Sequence, residues 1–288
     1  MRICWLVIWE TWIIAMSKVS ERIKRTSVPD IFKNKGGVPL VCLTAYTYPM
    51  AKILDKHVDI LLVGDSVGVV LYGMENTHNV TLEMIIGHGK AVVKGSEHAC
   101  VICDMPFASY QESSELAFRN AAKVIAETGC AGIKIEGGVE MAETVEFLVK
   151  RGVPVMGHVG LKPQSINTVG GYKSQGHSED EVLAIQRDAQ SISDAGAFSV
   201  VLECMVEEVA AEVTKNITAV TIGIGASARC DGQVLVTEDM LGIFTDFQPK
   251  FVKQYIDLQK QIDEATQLYA SEVKDRIFPS SKHVYQKK

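Results

Sequence analysis

Positive charge is in short supply in this sequence. Its 288 residues carry 29 Lys and Arg against 35 Asp and Glu, a net charge of −6. That balance offers no basic stripe to a nucleic acid and no polybasic patch to an anionic membrane. A disulfide framework is missing as well. Seven cysteines (Cys4, Cys42, Cys100, Cys103, Cys130, Cys204 and Cys230) are scattered and odd in number. That usage fits a reducing compartment, so a cytoplasmic protein is expected. On the same ground the Asn79-Val80-Thr81 and Asn216-Ile217-Thr218 sequons are chance matches. Cys100 and Cys103 form a CxxC, but it lies inside the apolar run ACVIC with no second pair. A zinc site needs more ligands and a redox motif needs a helix N-terminus, so both read as core residues. A membrane-spanning run is absent too. The most apolar stretch, MRICWLVIWETWIIA (1–15), is interrupted by Glu10 and falls short of the ~20 residues a helix needs to cross a bilayer. It has one leading Arg and no clear small-residue cleavage site. Met16 then opens MSKVSERIKRTSVPDI, a natural start. Residues 1–15 therefore read as an N-terminal extension. No low-complexity linker divides the remainder, so 16–288 reads as one domain.

What is present is a rhythm. Apolar, β-branched runs recur at 38–46, 58–66, 99–106, 131–138, 153–161, 198–205, 219–226 and 232–239. They are bounded as strands are. Amphipathic segments at 81–95, 113–129, 141–152 and 179–196 lie between them, and several end in Gly as helix C-caps do. Eight strands alternating with helices over about 250 residues is the size of a (β/α)8 barrel. An open doubly wound sheet is the competing architecture, but it would show one dominant phosphate loop. GIGASA (223–228), with Asp246 further on, is a degenerate match to a dinucleotide fingerprint. CDGQVLV follows it and reads as turn and strand where a helix is required. Residues 249–278 form an amphipathic helical tail suited to cover the barrel or to pack on a neighbouring subunit.

The polar residues concentrate where the apolar runs stop. Tyr46 ends the first, Asp65 and Ser66 the second, and Asp104 the third. Glu136 ends the fourth, while His158 and Glu203 lie late in the fifth and sixth. In a parallel barrel all these ends meet at one mouth. One polar residue at a strand end is a cap or turn residue. Four carboxylates from four strands repel one another in a low-dielectric mouth unless a cation joins them. All-oxygen donors favour a hard cation such as Mg2+. In IKIEGG (133–138), Lys134 and Glu136 share one face of a strand. The bland alternative is a Lys134–Glu136 pair bridging strands without a ligand. His158 alone would read as a buried histidine bonded to backbone; beside carboxylates it becomes a candidate substrate ligand. His57, His78, His88, His98, His177 and His283 have no such company in the sequence.

LLVGDSVG, VICDMPFASYQ, IKIEGG, PVMGHVGLKPQSI, GGYKSQG, FSVVLE, TIGIGA, CDGQVLV and DMLG…PKFVKQY occur in this order. Together they resemble the ketopantoate hydroxymethyltransferase family over roughly residues 27–285. The resemblance implies a TIM barrel of the phosphoenolpyruvate/pyruvate type. It implies transfer of a one-carbon unit from methylenetetrahydrofolate to the keto acid α-ketoisovalerate, on the way to pantothenate and coenzyme A. It further implies one Mg2+ per subunit and a homodecamer. Carried onto matching positions, Asp65 and Asp104 are metal ligands, with Glu136 near the metal directly or through water. Asp65, Ser66, Asp104 and Lys134 hold the keto acid, His158 lines the same site, and Glu203 is the proton acceptor. The chain departs from the family pattern at Thr47, where Asp is usual, at Ser227 in GIGASA, and at His177 after GGYKSQG. Metal-dependent lyases and mutases on the same barrel usually carry a catalytic Cys in a KKCGH-like loop, which this sequence lacks. A non-catalytic scaffold would have no need of clustered carboxylates.

Overall fold

The computed structural model describes residues 25–169, 171, 173–244 and 248–287. The extension expected at 1–15, Met16 and Asp246 lie outside them. Eight strands run β1 (Leu40–Thr44), β2 (Ile60–Val63), β3 (Cys100–Asp104), β4 (Gly132–Lys134), β5 (Val155–Gly160), β6 (Ser199–Glu203), β7 (Val220–Ile224) and β8 (Gly232–Leu235). Each pairs in parallel with the next, and β8 pairs with β1, so the sheet closes.

Period-two alternation builds two apolar layers. Ile60, Leu62, Cys100, Ile102, Met156 and Val201 pack together in the barrel interior. Leu61, Val63, Val101, Cys103, Val200 and Leu202 belong to the layer against the helices. Cys100 and Cys103 thus sit in different layers, as residues three apart on a strand must, and form no common site. The helices start where side chains satisfy their first N–H groups. Thr81, Ser113 and Ser178 cap Leu82–Gly95, Ser114–Thr128 and Glu179–Asp194. Gly129, with φ +74°, ends the second of these in the left-handed conformation that glycine adopts at least cost. Among the described residues no helix is long and apolar enough to cross a membrane.

All eight strands are shorter than their apolar runs, β4 and β8 most clearly at their C-terminal ends. β4 stops at Lys134, because GlyGly at 137–138 leads into a 3-10 turn at Val139–Met141. β8 stops at Leu235, and Thr237–Met240 turns helical. The tail is helical over Leu258–Lys274 only and buries none of those residues.

The β1–β8 seam is pinned at both ends. At the mouth, Thr237 N–H donates to Thr44 Oγ1 (2.9 Å) and its hydroxyl to Thr44 O (2.5 Å). At the opposite face, Asp231 accepts from Lys35 Nζ (2.8 Å), Gly36 N–H (2.9 Å), Thr221 N–H (2.7 Å) and Thr221 Oγ1 (2.9 Å). Burial works against the Asp231 carboxylate, but Lys35 and these N–H donors hold its pKa below the ordinary value. A group depressed in the folded state contributes stability above its unfolded pKa, and that stability disappears as pH falls through the folded value. Asp231→Ala should cost about 3 kcal/mol in urea unfolding at neutral pH, and the gap to the parent should shrink as pH falls through the folded Asp231 pKa. The chemistry at the far mouth should be unchanged in the folded variant; a stability loss below about 0.5 kcal/mol would remove Asp231 from the seam.

Candidate active site

The strand ends bring the expected residues together. Asp104 and Lys134 are direct neighbours in the β3–β4 register, and Lys134 Nζ lies 2.6 Å from Asp104 Oδ1 with both side chains buried. Asp65 N–H donates to Asp104 Oδ2 (3.0 Å). Ser66 Oγ is 2.8 Å from the Tyr46 hydroxyl. Beyond β4, Glu136 Oε1 faces His158 Nδ1 at 3.4 Å, and His158 Nε2 faces Glu203 Oε2 at 3.2 Å. Neither imidazole nitrogen meets its carboxylate with hydrogen-bond geometry, so these contacts are electrostatic. The pairing in IKIEGG is therefore not the bridging pair considered from sequence. Lys134 turns to Asp104, and Glu136 turns to His158.

Charge explains the titration of these groups. Burial, then Asp104 and Glu136, push the Asp65 carboxyl up to about 7. Burial alone would lower the Lys134 pKa, but Asp104, Glu136 and Asp65 outweigh it and raise it. Burial opposes ionisation of Glu136 too; His158, Lys134 and the Gln164 N–H hold it low. Burial would neutralise His158, yet Glu136 and then Glu203 raise it to about 9. The mouth thus holds an imidazolium and an ammonium amid four carboxylates. Glu203 is the most open of these ion pairs, with 17% of its side chain exposed. Cys204 directly after it has φ +48°, and Ala108 in the loop after β3 has φ +65°. Such conformations in non-glycine residues store strain where a loop is shaped for function.

Neutral donors fill in between the charges. Gln164 Nε2 donates to Asp65 Oδ2 (2.9 Å), and Gln164 N–H to Glu136 Oε2 (3.0 Å). The Tyr110 hydroxyl donates to Gln164 Oε1 (2.7 Å) and accepts from Glu136 N–H (3.0 Å). Among the described residues no three His, Cys, Asp or Glu side chains form a metal cage by themselves. A separate hollow of about 340 Å³, lined by Ser27, Val28, Ala131 and Pro154 among others, opens at the opposite face of the barrel. It shares none of these groups.

A family model of ketopantoate hydroxymethyltransferase matches residues 25–281. The chain belongs to the ketopantoate hydroxymethyltransferase family. Among its relatives, a Rhizobium etli protein is 58% identical over 265 residues, 92% of this chain and 97% of its own. A Brucella suis protein is 60% identical over 262 residues, 91% and 95% respectively. Both bear the name 3-methyl-2-oxobutanoate hydroxymethyltransferase, and family membership makes this chain an enzyme, a transferase. Solved structures share the fold at low identity. Phosphoenolpyruvate phosphomutase from Streptomyces platensis subsp. rosaceus superposes with TM-score 0.59 at 10% identity, covering 90% of this chain and 92% of its own. 2,3-Dimethylmalate lyase, a PEP mutase/isocitrate lyase superfamily member, gives 0.56 at 14%, covering 91% and 89%.

The departures from the hydroxymethyltransferase pattern have local explanations. Thr47 caps the helix Tyr48–Leu54 by accepting from Met50 N–H (3.4 Å), a task Thr and Asp share. Ser227 is buried and accepts from Arg229 N–H (3.1 Å) in the turn before β8. His177 lies on the surface against Ser174. His78 and His88 meet backbone carbonyls, not the carboxylates of the mouth. His78 Nε2 is 2.8 Å from Gln164 O, and His88 Nδ1 is 2.6 Å from Tyr46 O. Gln164 and Tyr110 stood inside quoted motifs without a role. Their only signal in the sequence is a polar residue in a loop just past a strand end.

His158 should be doubly protonated at pH 7 in metal-free protein and titrate near 9. Its folded pKa lies above its unfolded one, so the stability it contributes is complete below about 6.5 and is lost as pH rises through 9. Imidazole 15N shifts report this directly. A neutral ring at pH 7, or a titration that Glu136→Gln leaves in place, contradicts the assignment.

Proposed function

We propose that the chain transfers a hydroxymethyl group from methylenetetrahydrofolate to α-ketoisovalerate (3-methyl-2-oxobutanoate), giving ketopantoate for pantothenate and coenzyme A synthesis. One observation carries this reading. In a member of this family, Asp65, Asp104 and Lys134 stand at the same mouth as Glu136, His158 and Glu203. Identity of 58–60% over more than nine-tenths of the chain to the hydroxymethyltransferases supports the same substrate.

The donor set fits a divalent cation. Asp65 and Asp104 are adjacent, buried and all-oxygen, and burial plus neighbouring carboxylates makes it costly for Asp65 to ionise without a cation. Mg2+ commonly takes one or two carboxylates and completes its shell with water and substrate oxygens, so an incomplete protein cage suits it. Asp65 and Asp104 would hold it, with Glu136 near it directly or through water. When bound, the ion withdraws electrons from the keto group and acidifies the adjacent C–H. Ser66 and Lys134 bind the keto acid, and Lys134 balances the negative charge that develops on it. Glu203 takes the proton from the carbon next to the keto group. His158, charged and fixed against Glu136, orients Glu203. Water takes the place of one folate nitrogen on the methylene carbon and gives that nitrogen a proton; the carbon released of its proton then attacks the same methylene carbon as the second folate nitrogen leaves with the proton taken up by Glu203, giving the hydroxymethyl product. Free buried cysteines support the cytoplasm as the place of action.

The enolisation step stands apart from the transfer and is testable without folate. In D2O with Mg2+, α-ketoisovalerate should lose its methine proton signal by NMR, and a chelator should stop the loss. Glu203→Gln should slow exchange by about 100-fold or more while keto acid still binds. Wild-type exchange in that variant would take Glu203 out of the mechanism. Absence of exchange in the parent protein, with and without added folate, would end the substrate assignment.

The assembly is proposed as a homodecamer. The tail helix leaves Ile262, Leu268, Tyr269 and Val273 exposed, an apolar face suited to a second copy of the chain. Sedimentation equilibrium should give about ten times the chain mass. A concentration-independent monomer would refute it.

A further inference from the structure

We propose that Gln164 is a positioning residue: its amide sets the rotation of the Asp65 carboxylate while its backbone N–H holds Glu136. One buried residue then fixes the spacing between the Asp65–Asp104 pair and the Glu136–His158–Glu203 chain. This rests on the roles given to those groups under the proposed function.

The hydrogen bonds leave Gln164 no freedom. Nε2 donates to Asp65 Oδ2 (2.9 Å) and Met105 O (3.0 Å). Oε1 accepts from the Tyr110 hydroxyl (2.7 Å) and Gln111 Nε2 (3.0 Å). All four positions of the amide are taken. Flipping it would set Oε1 against the Met105 carbonyl, which has nothing to donate, and Nε2 against the Gln111 amide nitrogen, which cannot accept. The backbone is engaged as well, N–H to Glu136 Oε2 (3.0 Å) and O facing His78 Nε2 (2.8 Å). Gln164 is 4% exposed, so no solvent competes for these partners.

Its place in the network is what separates it from a residue that merely pins a loop. Among the described residues, Gln164 is the one hydrogen-bond donor to the Asp65 carboxylate. Asp65 Oδ2 is thereby turned to the protein, and no described residue hydrogen-bonds the other oxygen. The same residue reaches Glu136, which faces His158, which faces Glu203. From Asp65 to Glu203 the chain of contacts passes through Gln164. A carboxylate that loses its orienting donor binds a cation with the wrong oxygen geometry, and outer partners of this kind are worth about 10–100-fold in affinity or activity.

The test uses Gln164→Met in the full chain, which keeps length and removes the amide. Three quantities are read: the melting temperature, Mn2+ binding by EPR of the free ion, and folate-independent proton exchange of α-ketoisovalerate. Positioning predicts Mn2+ affinity about tenfold weaker and exchange kcat about 10–100-fold lower, with KM for the keto acid moved far less. A purely structural role predicts a lower melting temperature with affinity and kcat of the folded protein intact, and that result overturns the proposal. If Gln164→Met does not fold, Tyr110→Phe decides. It deletes the hydroxyl that orients the amide, and a loss of both quantities in the same direction supports the proposal while parental values overturn it. A parent that exchanges no proton but binds Mn2+ refutes the substrate reading alone, and the Mn2+ comparison still judges Gln164. A parent that binds no Mn2+ overturns both.

Discussion

The structure turns on one constraint: four carboxylates must share a nearly dry mouth with one ammonium and one imidazolium. Like charges a few ångströms apart in a low-dielectric setting cannot all ionise without compensation. The fold answers with placement. Lys134 is set opposite Asp104 by strand register, and His158 is set between Glu136 and Glu203. What those two cations leave unbalanced gathers at Asp65, whose carboxyl is pushed up to about 7 by burial and its neighbours. That is where an added positive charge would lower the electrostatic energy most.

Closure of the barrel is what makes such an arrangement affordable. The six charged groups come from five successive strands, β2 to β6, or the loops just past them, and the parallel sheet brings all these ends to one side. The seam between β1 and β8 therefore matters to the site although no charged residue of the site lies on it. Asp231 and Lys35 hold it at one face, Thr44 and Thr237 at the other. The hollow at the opposite face is comparable in volume to many ligand pockets, yet it lacks the convergent charges. Chemistry here follows charge, not volume.

Much of this was legible in the residues. Recurrent apolar, β-branched runs located all eight strands, and the polar residues at their ends located the mouth. The ends themselves were less legible, because GlyGly at 137–138 and the turn at Thr237 stop strands inside runs that still look apolar. Partner choice was hidden for a stronger reason. Lys134 and Glu136 are neighbours on one face by sequence, but a partner on the adjacent strand lies nearer than one two residues along. Gln164, Tyr110 and His78 escaped notice because a polar loop residue looks the same whether it faces solvent or a buried carboxylate. Only the folded chain shows that Gln164 is enclosed.

The mouth divides into two poles with opposite tendencies. Around Asp65 burial and neighbouring carboxylates push the carboxyl up to about 7; around Glu136 the balance favours an ionised carboxylate beside a charged imidazole. Such divergence keeps a carboxyl that resists ionisation and one that stays ionised within a single mouth. A rigid, fully satisfied amide between the poles keeps them apart while fixing their distance. The phosphomutase and the lyase that share this barrel do so at 10–14% identity, so the scaffold alone does not dictate the reaction. What distinguishes this chain is the set of side chains at its strand ends and the neutral residues that orient them.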